Sequence, residues 1–170
     1  MSVTPRLTSD SRCSMPRSIA RPAPGTVGPV TREELDEVLS GLSRAHIATV
    51  GPDGTPHASV VAFAPLDGAL WFATDPRSGK AQAMRANPHI AIMFEGNGAE
   101  TYVWGDVELL GDPETRRRLW ERAPMPYDKA AFFGDPDNER VVWGRVTPLR
   151  ATVVRMGPNG LGRERWSADG

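Results

Sequence analysis

The stretch Ile47-Ala48-Thr49-Val50-Gly51-Pro52-Asp53-Gly54-Thr55-Pro56-His57-Ala58-Ser59-Val60-Val61-Ala62-Phe63-Ala64 decides the fold. A short apolar, β-branched run closes on Gly-Pro-Asp-Gly, and a second run begins at His57 and extends to Ala64. Leu66-Asp67-Gly68 closes that second run, and Leu70 to Thr74 forms a third. β-rich segments joined by Asp-Gly turns are the pattern of consecutive antiparallel hairpins, because Gly supplies the positive φ that a tight turn needs. The stretch therefore predicts a sequential meander, not a parallel βαβ arrangement.

Outward from this stretch, Ser78 is positioned to cap a helix that runs to Asn87 and stops before Pro88. His89 to Phe94 reads as a fourth strand and Thr101 to Leu110 as a longer fifth. Asp112-Pro113-Glu114 has the cap, first-turn proline and early acid of another helix, with Leu119 and Trp120 on its apolar side. Pro124, Pro126, Gly134 and Pro136 mark residues 124–140 as an irregular loop. Val141 to Thr147 and Leu149 to Met156 read as one strand bent at Pro148, and Trp166, beyond that last strand, is expected to pack on the barrel or on a partner. Upstream, Thr31 and Glu34 form a capping box ahead of Leu35, Val38, Leu39 and Leu42. Residues 1–29 are rich in Ser, Pro, Arg and Gly and read as a disordered tail without a signal sequence. The expected fold is mainly β: a six-stranded antiparallel barrel with short peripheral helices over residues 30–170, closure removing exposed strand edges.

Composition narrows the function. A chain of 170 residues, 39% hydrophobic and 24% charged, suits one folded domain, and it holds no run long enough for a membrane span. Twenty basic against 21 acidic residues, a formal net charge of −1, gives no global attraction to nucleic acid or to an anionic membrane. The single cysteine, Cys13, excludes an intrachain disulfide and a multi-cysteine metal site, and agrees with a cytoplasmic location. Eighteen of the twenty basic residues are arginine, which makes Lys80 and Lys129 stand out.

Lys80 belongs to the most informative chemical motif, Thr74-Asp75-Pro76-Arg77-Ser78-Gly79-Lys80. A strand ends, a tight loop follows and a helix begins, so free N–H groups at the positive helix end meet two hydroxyls and two cations. Thr74, Arg77, Ser78 and Lys80 are candidate phosphate ligands, although a capped surface helix with solvated cations reads the same way. His46, His57 and His89 lack metal-ligand spacing, and Asp53, Asp67 and Asp75 are explained as turn residues. Trp71, Phe72, Phe94, Tyr102, Trp104 and Trp143 read as core or interface before they read as a planar ligand's wall. No acid–base pair, metal site or catalytic nucleophile emerges.

Ile47-Ala48-Thr49-Val50-Gly51-Pro52-Asp53-Gly54-Thr55-Pro56-His57, Leu70-Trp71-Phe72-Ala73-Thr74, Ser78-Gly79-Lys80 with Asn87-Pro88, and Tyr102-Val103-Trp104-Gly105-Asp106-Val107-Glu108, taken in order, resemble the pyridoxamine 5′-phosphate oxidase-like superfamily of split β-barrel flavoproteins, and most closely its general stress protein 26-like branch. The resemblance covers about Thr31 to Trp166. It implies a homodimer with a flavin at each interface, FMN or in sister branches the deazaflavin F420. It places the cofactor phosphate at Ser78 and Lys80 with Thr74 assisting, and brings the second strand, His57, Ser59, Val60 and Val61, against the ring system. It further implies hydride transfer to or from a small molecule. Family members that oxidise pyridoxine phosphate carry an arginine beside the second-strand start and a second cation where Gly79 stands. Here the former region reads His57-Ala58-Ser59, Glu100 occupies a position that is often glutamine, and the arginine-rich C-terminal segment is shortened. The resemblance therefore implies a flavin protein that is not a true pyridoxamine 5′-phosphate oxidase. An F420-dependent reductase, a non-catalytic flavin or haem binder, and a cofactor-free barrel are the alternatives.

Overall fold

Alternation of side chains along each strand builds the core. In the computed structural model, which describes residues 27–96, 98–157 and 160–170, the strand Arg44–Val50 buries Ala45, Ile47 and Thr49 and exposes the residues between them. The strand Ala99–Leu110 does the same with Ala99, Thr101, Val103 and Val107. Successive strand side chains point to opposite faces, so a period of two gives one wet face and one buried face. The elements in chain order are β1 (Val27–Pro29), α1 (Arg32–Ser40), β2 (Arg44–Val50), β3 (Pro56–Ala62), β4 (Ala64–Leu66), β5 (Ala69–Thr74), α2 (Gly79–Ala86), β6 (His89–Gly96), β7 (Ala99–Leu110), α3 (Pro113–Arg122), α4 (Lys129–Phe133), β8 (Val142–Gly157) and β9 (Gly160–Ser167).

The strands form one mixed sheet of nine, ordered β1-β9-β8-β7-β6-β2-β3, with β5 paired to β8 and β4 paired to β5. β2 and β3 make the hairpin that the Asp-Gly turn predicts, from Arg44 opposite Ala62 to Val50 opposite Pro56. Its turn is held by the Asp53 carboxylate, which accepts from the Thr55 N–H at 3.0 Å and the Thr55 hydroxyl at 2.8 Å, while Gly54 takes φ +81°. The interior is centred on Phe63, whose ring lies 5.3 Å from Phe72 and 5.6 Å from Phe94. Leu35, Val38 and Leu39 of α1 close one side of this core. The capping box is formed in full: Thr31 N–H donates to Glu34 Oε2 at 2.8 Å and Glu34 N–H to Thr31 Oγ1 at 3.2 Å.

Three departures from the sequence expectation have physical causes. Six antiparallel strands become nine in a mixed sheet whose ladder path does not close among the described residues. β1 and β4 are only three residues long and contain Pro29 and Pro65, while β9 carries Gly160, Gly162 and alternating charges; each is set by its partner strand more than by its own β propensity. β1 also lies parallel to β9, Val27 opposite Arg163, which makes the sheet mixed. The rest of the expected tail, with Cys13, lies outside the described residues. Trp166 is not beyond the last strand but inside β9, where it packs against the core as expected of it. Finally, the loop expected over residues 124–140 contains α4, capped by Asp128 through Ala130 N–H at 2.9 Å.

The bent final strand is confirmed as one element. β8 passes Pro148 at a register shift where Trp104 faces Arg150 and Gly105 faces Pro148, which leaves Leu149 as the extra, bulged residue. Glycine is required twice along this strand pair. A Cβ on Gly105 would meet the Thr147 carbonyl, and a Cβ on Gly144 would land on the ring of Phe72, which is itself fully buried. Gly144→Ala should therefore cost about 1–3 kcal/mol through overpacking. Gly79→Ala, with open space at its Cβ inside the first turn of α2, should instead stabilise by about 0.5–1 kcal/mol. Urea unfolding of the two variants checks the opposed signs, and equal effects would contradict the packing described.

Candidate functional site

The site grows from the end of β5. Thr74, only 5% exposed, closes the strand, and its Oγ1 lies 3.2 Å from the Oγ of Ser78. Ser78 caps α2 by accepting the Ala81 N–H at 3.3 Å, and its own N–H donates to the Asp75 carbonyl at 3.0 Å. Thr74 and Ser78 bring two hydroxyl hydrogens, and their mutual bond uses one. The other has no acceptor among the described residues, which leaves a hydrogen-bond donor at the helix start.

A groove of about 400 Å³ opens beside this pair. Val60, Val61 and Ala62 of β3 form one wall, Ala73 to Asp75 with Ser78 and Lys80 another, and Tyr127, Phe132 and Phe133 a third; Arg44 stands at the start of β2. β3 ends the strand order, pairing with β2 alone among the described strands, and Val60 is 57% exposed. The aromatic wall is a packed cluster, with the Tyr127 ring 4.7 Å from Phe132 and 6.1 Å from Phe133. Lys80 makes no ion pair among the described residues.

Of the eight residues expected at a cofactor site, the groove gathers Thr74, Ser78, Lys80, Val60 and Val61. Three stand elsewhere. Arg77 turns onto Asp75, donating from Nε at 3.2 Å and Nη2 at 3.0 Å while its backbone N–H donates at 2.8 Å. The hydrogen bonds from Arg77, with a charge contribution from Arg140, hold the Asp75 carboxyl far below the usual carboxylate range. His57 is exposed on β3 opposite Thr49, and Ser59 directs its hydroxyl to a buried position without a partner. Arg44 and the aromatic trio were missed by sequence reading. Asp128 as a cap followed by Phe132-Phe133 was the available signal for the trio, but the surrounding prolines and Gly134 outweighed it.

A larger hollow of about 900 Å³ involves β1, β8 and β9, and it contains none of the eight expected residues. Two of its three arginines rest on aromatic faces: Arg150 is 4.6 Å from the Trp104 ring centroid and Arg32 is 5.3 Å from that of Trp166.

Burial pushes the Tyr127 phenol up to about 12, and the hydrogen bond from the Tyr102 hydroxyl to Glu100, 2.7 Å, raises that phenol as well. Tyr127 is thus neutral and adds no negative charge to the groove. Both phenols ionise at higher pH in the folded state than in the unfolded chain, where tyrosine ionises near about 10. The Tyr127 contribution to stability is whole below that pH and is lost as pH rises toward about 12; that of Tyr102 is lost in the same direction. Ultraviolet titration should show the native protein forming tyrosinate at higher pH than the urea-unfolded chain, with the Tyr127 half of the signal delayed most; coincident curves would refute the burial of Tyr127.

The sequence pattern of the pyridoxamine 5′-phosphate oxidase family matches residues 31–155. Pyridoxine/pyridoxamine 5′-phosphate oxidase 1 of Ralstonia nicotianae is 27% identical over 157 residues, covering 76% of this chain and 74% of its own. Among solved structures, General Stress Protein 26 of Bacillus anthracis shares the fold with a TM-score of 0.61 at 18% identity, over 72% of this chain and 92% of its own. A pyridoxamine 5′-phosphate oxidase-related, FMN-binding protein of Nostoc punctiforme gives 0.60 at 20%, over 78% and 84%. A structure described as an F420 reductase gives 0.55 at 26%, over 68% and 94%. With the family pattern spanning 31–155 and the fold shared with its solved relatives, the chain belongs to the pyridoxamine 5′-phosphate oxidase family.

Proposed function

We propose that the chain binds FMN in the groove beside α2 and serves as a flavin-dependent oxidoreductase for a small molecule. The observation that carries this reading is the donor set at one end of the groove: the unclaimed hydroxyl hydrogen of the Thr74–Ser78 pair, the start of α2 and the Lys80 ammonium. All are donors, and a phosphate monoester offers only acceptors at neutral pH. The residues therefore fit the group. Ser78, Thr74 and Lys80 would hold the phosphate, and the free edge of β3 at Val60 and Val61 would offer backbone groups to a planar ring. Tyr127, Phe132 and Phe133 would exclude water from the same groove. When bound, the flavin supplies hydride transfer, while the protein supplies orientation and electrostatics.

The exposed β3 edge with Val60 outward also supports a homodimer in which a second copy covers this side. No helix among the described residues is long and apolar enough to cross a membrane. Pyridoxine phosphate itself is not the proposed substrate, because the start of β3 carries His57, Ala58 and Ser59 in place of the cation that the sequence resemblance associates with that chemistry. F420 is the second reading, favoured by the 26% identity to a structure described as an F420 reductase.

The purified full chain should show flavin absorbance and bind added FMN. Lys80→Ala should weaken FMN about ten- to hundredfold, the loss of one charge-assisted hydrogen bond, without moving the urea midpoint. Saturable F420 binding without FMN binding would select the second reading, and an unchanged FMN dissociation constant in Lys80→Ala at equal salt would remove Lys80 from the site.

A further inference from the structure

We infer that Arg44, outside the helix-start motif, is the second cation of the phosphate site, lining the same groove as Lys80 from a different element; this rests on reading the groove as a phosphate-binding site. The motif itself offers Arg77, and Arg85 follows on α2, but neither lines the groove and each guanidinium is drawn to a partner of its own. Arg77 is tied by Nε and Nη2 to the Asp75 carboxylate, and Arg85 Nη1 donates to the Pro76 carbonyl at 2.5 Å. Arg140 also reaches Asp75, at 3.5 Å. These contacts settle the role of Asp75, whose carboxylate lines the groove and would repel an anion if left alone: Arg77 and Arg140 neutralise it from outside. The positive potential inside the groove then comes from Arg44 and Lys80.

Arg44 is delivered by a different element from Lys80. It is the first residue of β2, paired across the ladder with Ala62, and it lines the groove beside Val60, Val61 and Ala62. It stands on the exposed face that the alternation of β2 gives it and has no carboxylate partner among the described residues, so its guanidinium is uncommitted. A phosphate at the Ser78 end would meet a compact ammonium from the helix and a planar fork from the strand. The fork spans two oxygens while the ammonium reaches the third, a division that suits the chemistry of the two side chains. Because one cation is carried by α2 and the other by the β2–β3 hairpin, the anion would also tie the helix to the edge strand.

The test compares FMN with riboflavin, which lacks the phosphate, by flavin fluorescence on the full chain as wild type, Arg44→Gln, Arg44→Lys and Lys80→Ala, with thermal unfolding of each. Arg44→Gln should weaken FMN about tenfold and leave riboflavin unchanged, and Arg44→Lys should restore part of the loss. If Arg44→Gln binds FMN as wild type does while Lys80→Ala does not, the assignment of Arg44 falls and the phosphate site stands. Equal weakening of FMN and riboflavin by Arg44→Gln also overturns it, since the effect would then not lie at the phosphate. If the wild type binds both flavins equally or neither, the phosphate reading fails and the role of Arg44 fails with it.

Discussion

The contact between Phe72 and Gly144 holds β5 where the rest of the structure needs it. Phe72 is fully buried at the centre of the core, and its ring occupies the space that a side chain at position 144 would take. The cross-strand pair Phe72–Gly144 lets β5 lie close on β8 through five registered pairs ending at Thr74 and Val142. Thr74 is therefore fixed by the core, and everything that follows it, the Asp75 turn, the Ser78 cap and the first turn of α2, is positioned by a strand that cannot slide without expelling an aromatic ring. A donor cluster placed at the end of such a strand has little freedom to adapt, which is the condition under which hydrogen-bond donors select a ligand by geometry.

Electrostatics at this end of the molecule are local. The chain is almost neutral, yet one groove is lined by two cations, Arg44 and Lys80, and the one carboxylate in its lining, Asp75, is paired with Arg77 and Arg140, which do not line it. Such an arrangement concentrates potential in a hollow without making the protein basic, so it attracts one small anion and not a polyanion. Two nearby arginines thus have electrostatic roles without lining the groove: Arg77 and Arg140 keep Asp75 from opposing the site.

The sequence made the β2–β3 hairpin, the capping box of α1, the Ser78 cap and the bent β8 legible, because each rests on local chemistry: an Asp-Gly turn, a reciprocal Thr31–Glu34 pair, a hydroxyl before a helix, a proline in a strand. It concealed β1, β4 and β9, whose residues become strands through pairing with distant partners. It also pointed to Arg77 as a ligand, since spacing cannot tell whether a guanidinium turns toward a groove or back onto the carboxylate two residues before it. Arg44 and the aromatic trio were hidden for the complementary reason: they reach the groove from β2 and from the α4 region, far from the motif in sequence.

The parallel pairing of β1 with β9 joins the first described strand to the last, Val27 beside Arg163 and Pro29 beside Arg165. During synthesis β1 emerges long before β9, its ladder partner among the described residues, which itself pairs with β8. The pairing joins an early segment to a late one, a loop closure over nearly the whole described domain and a contact of high sequence separation.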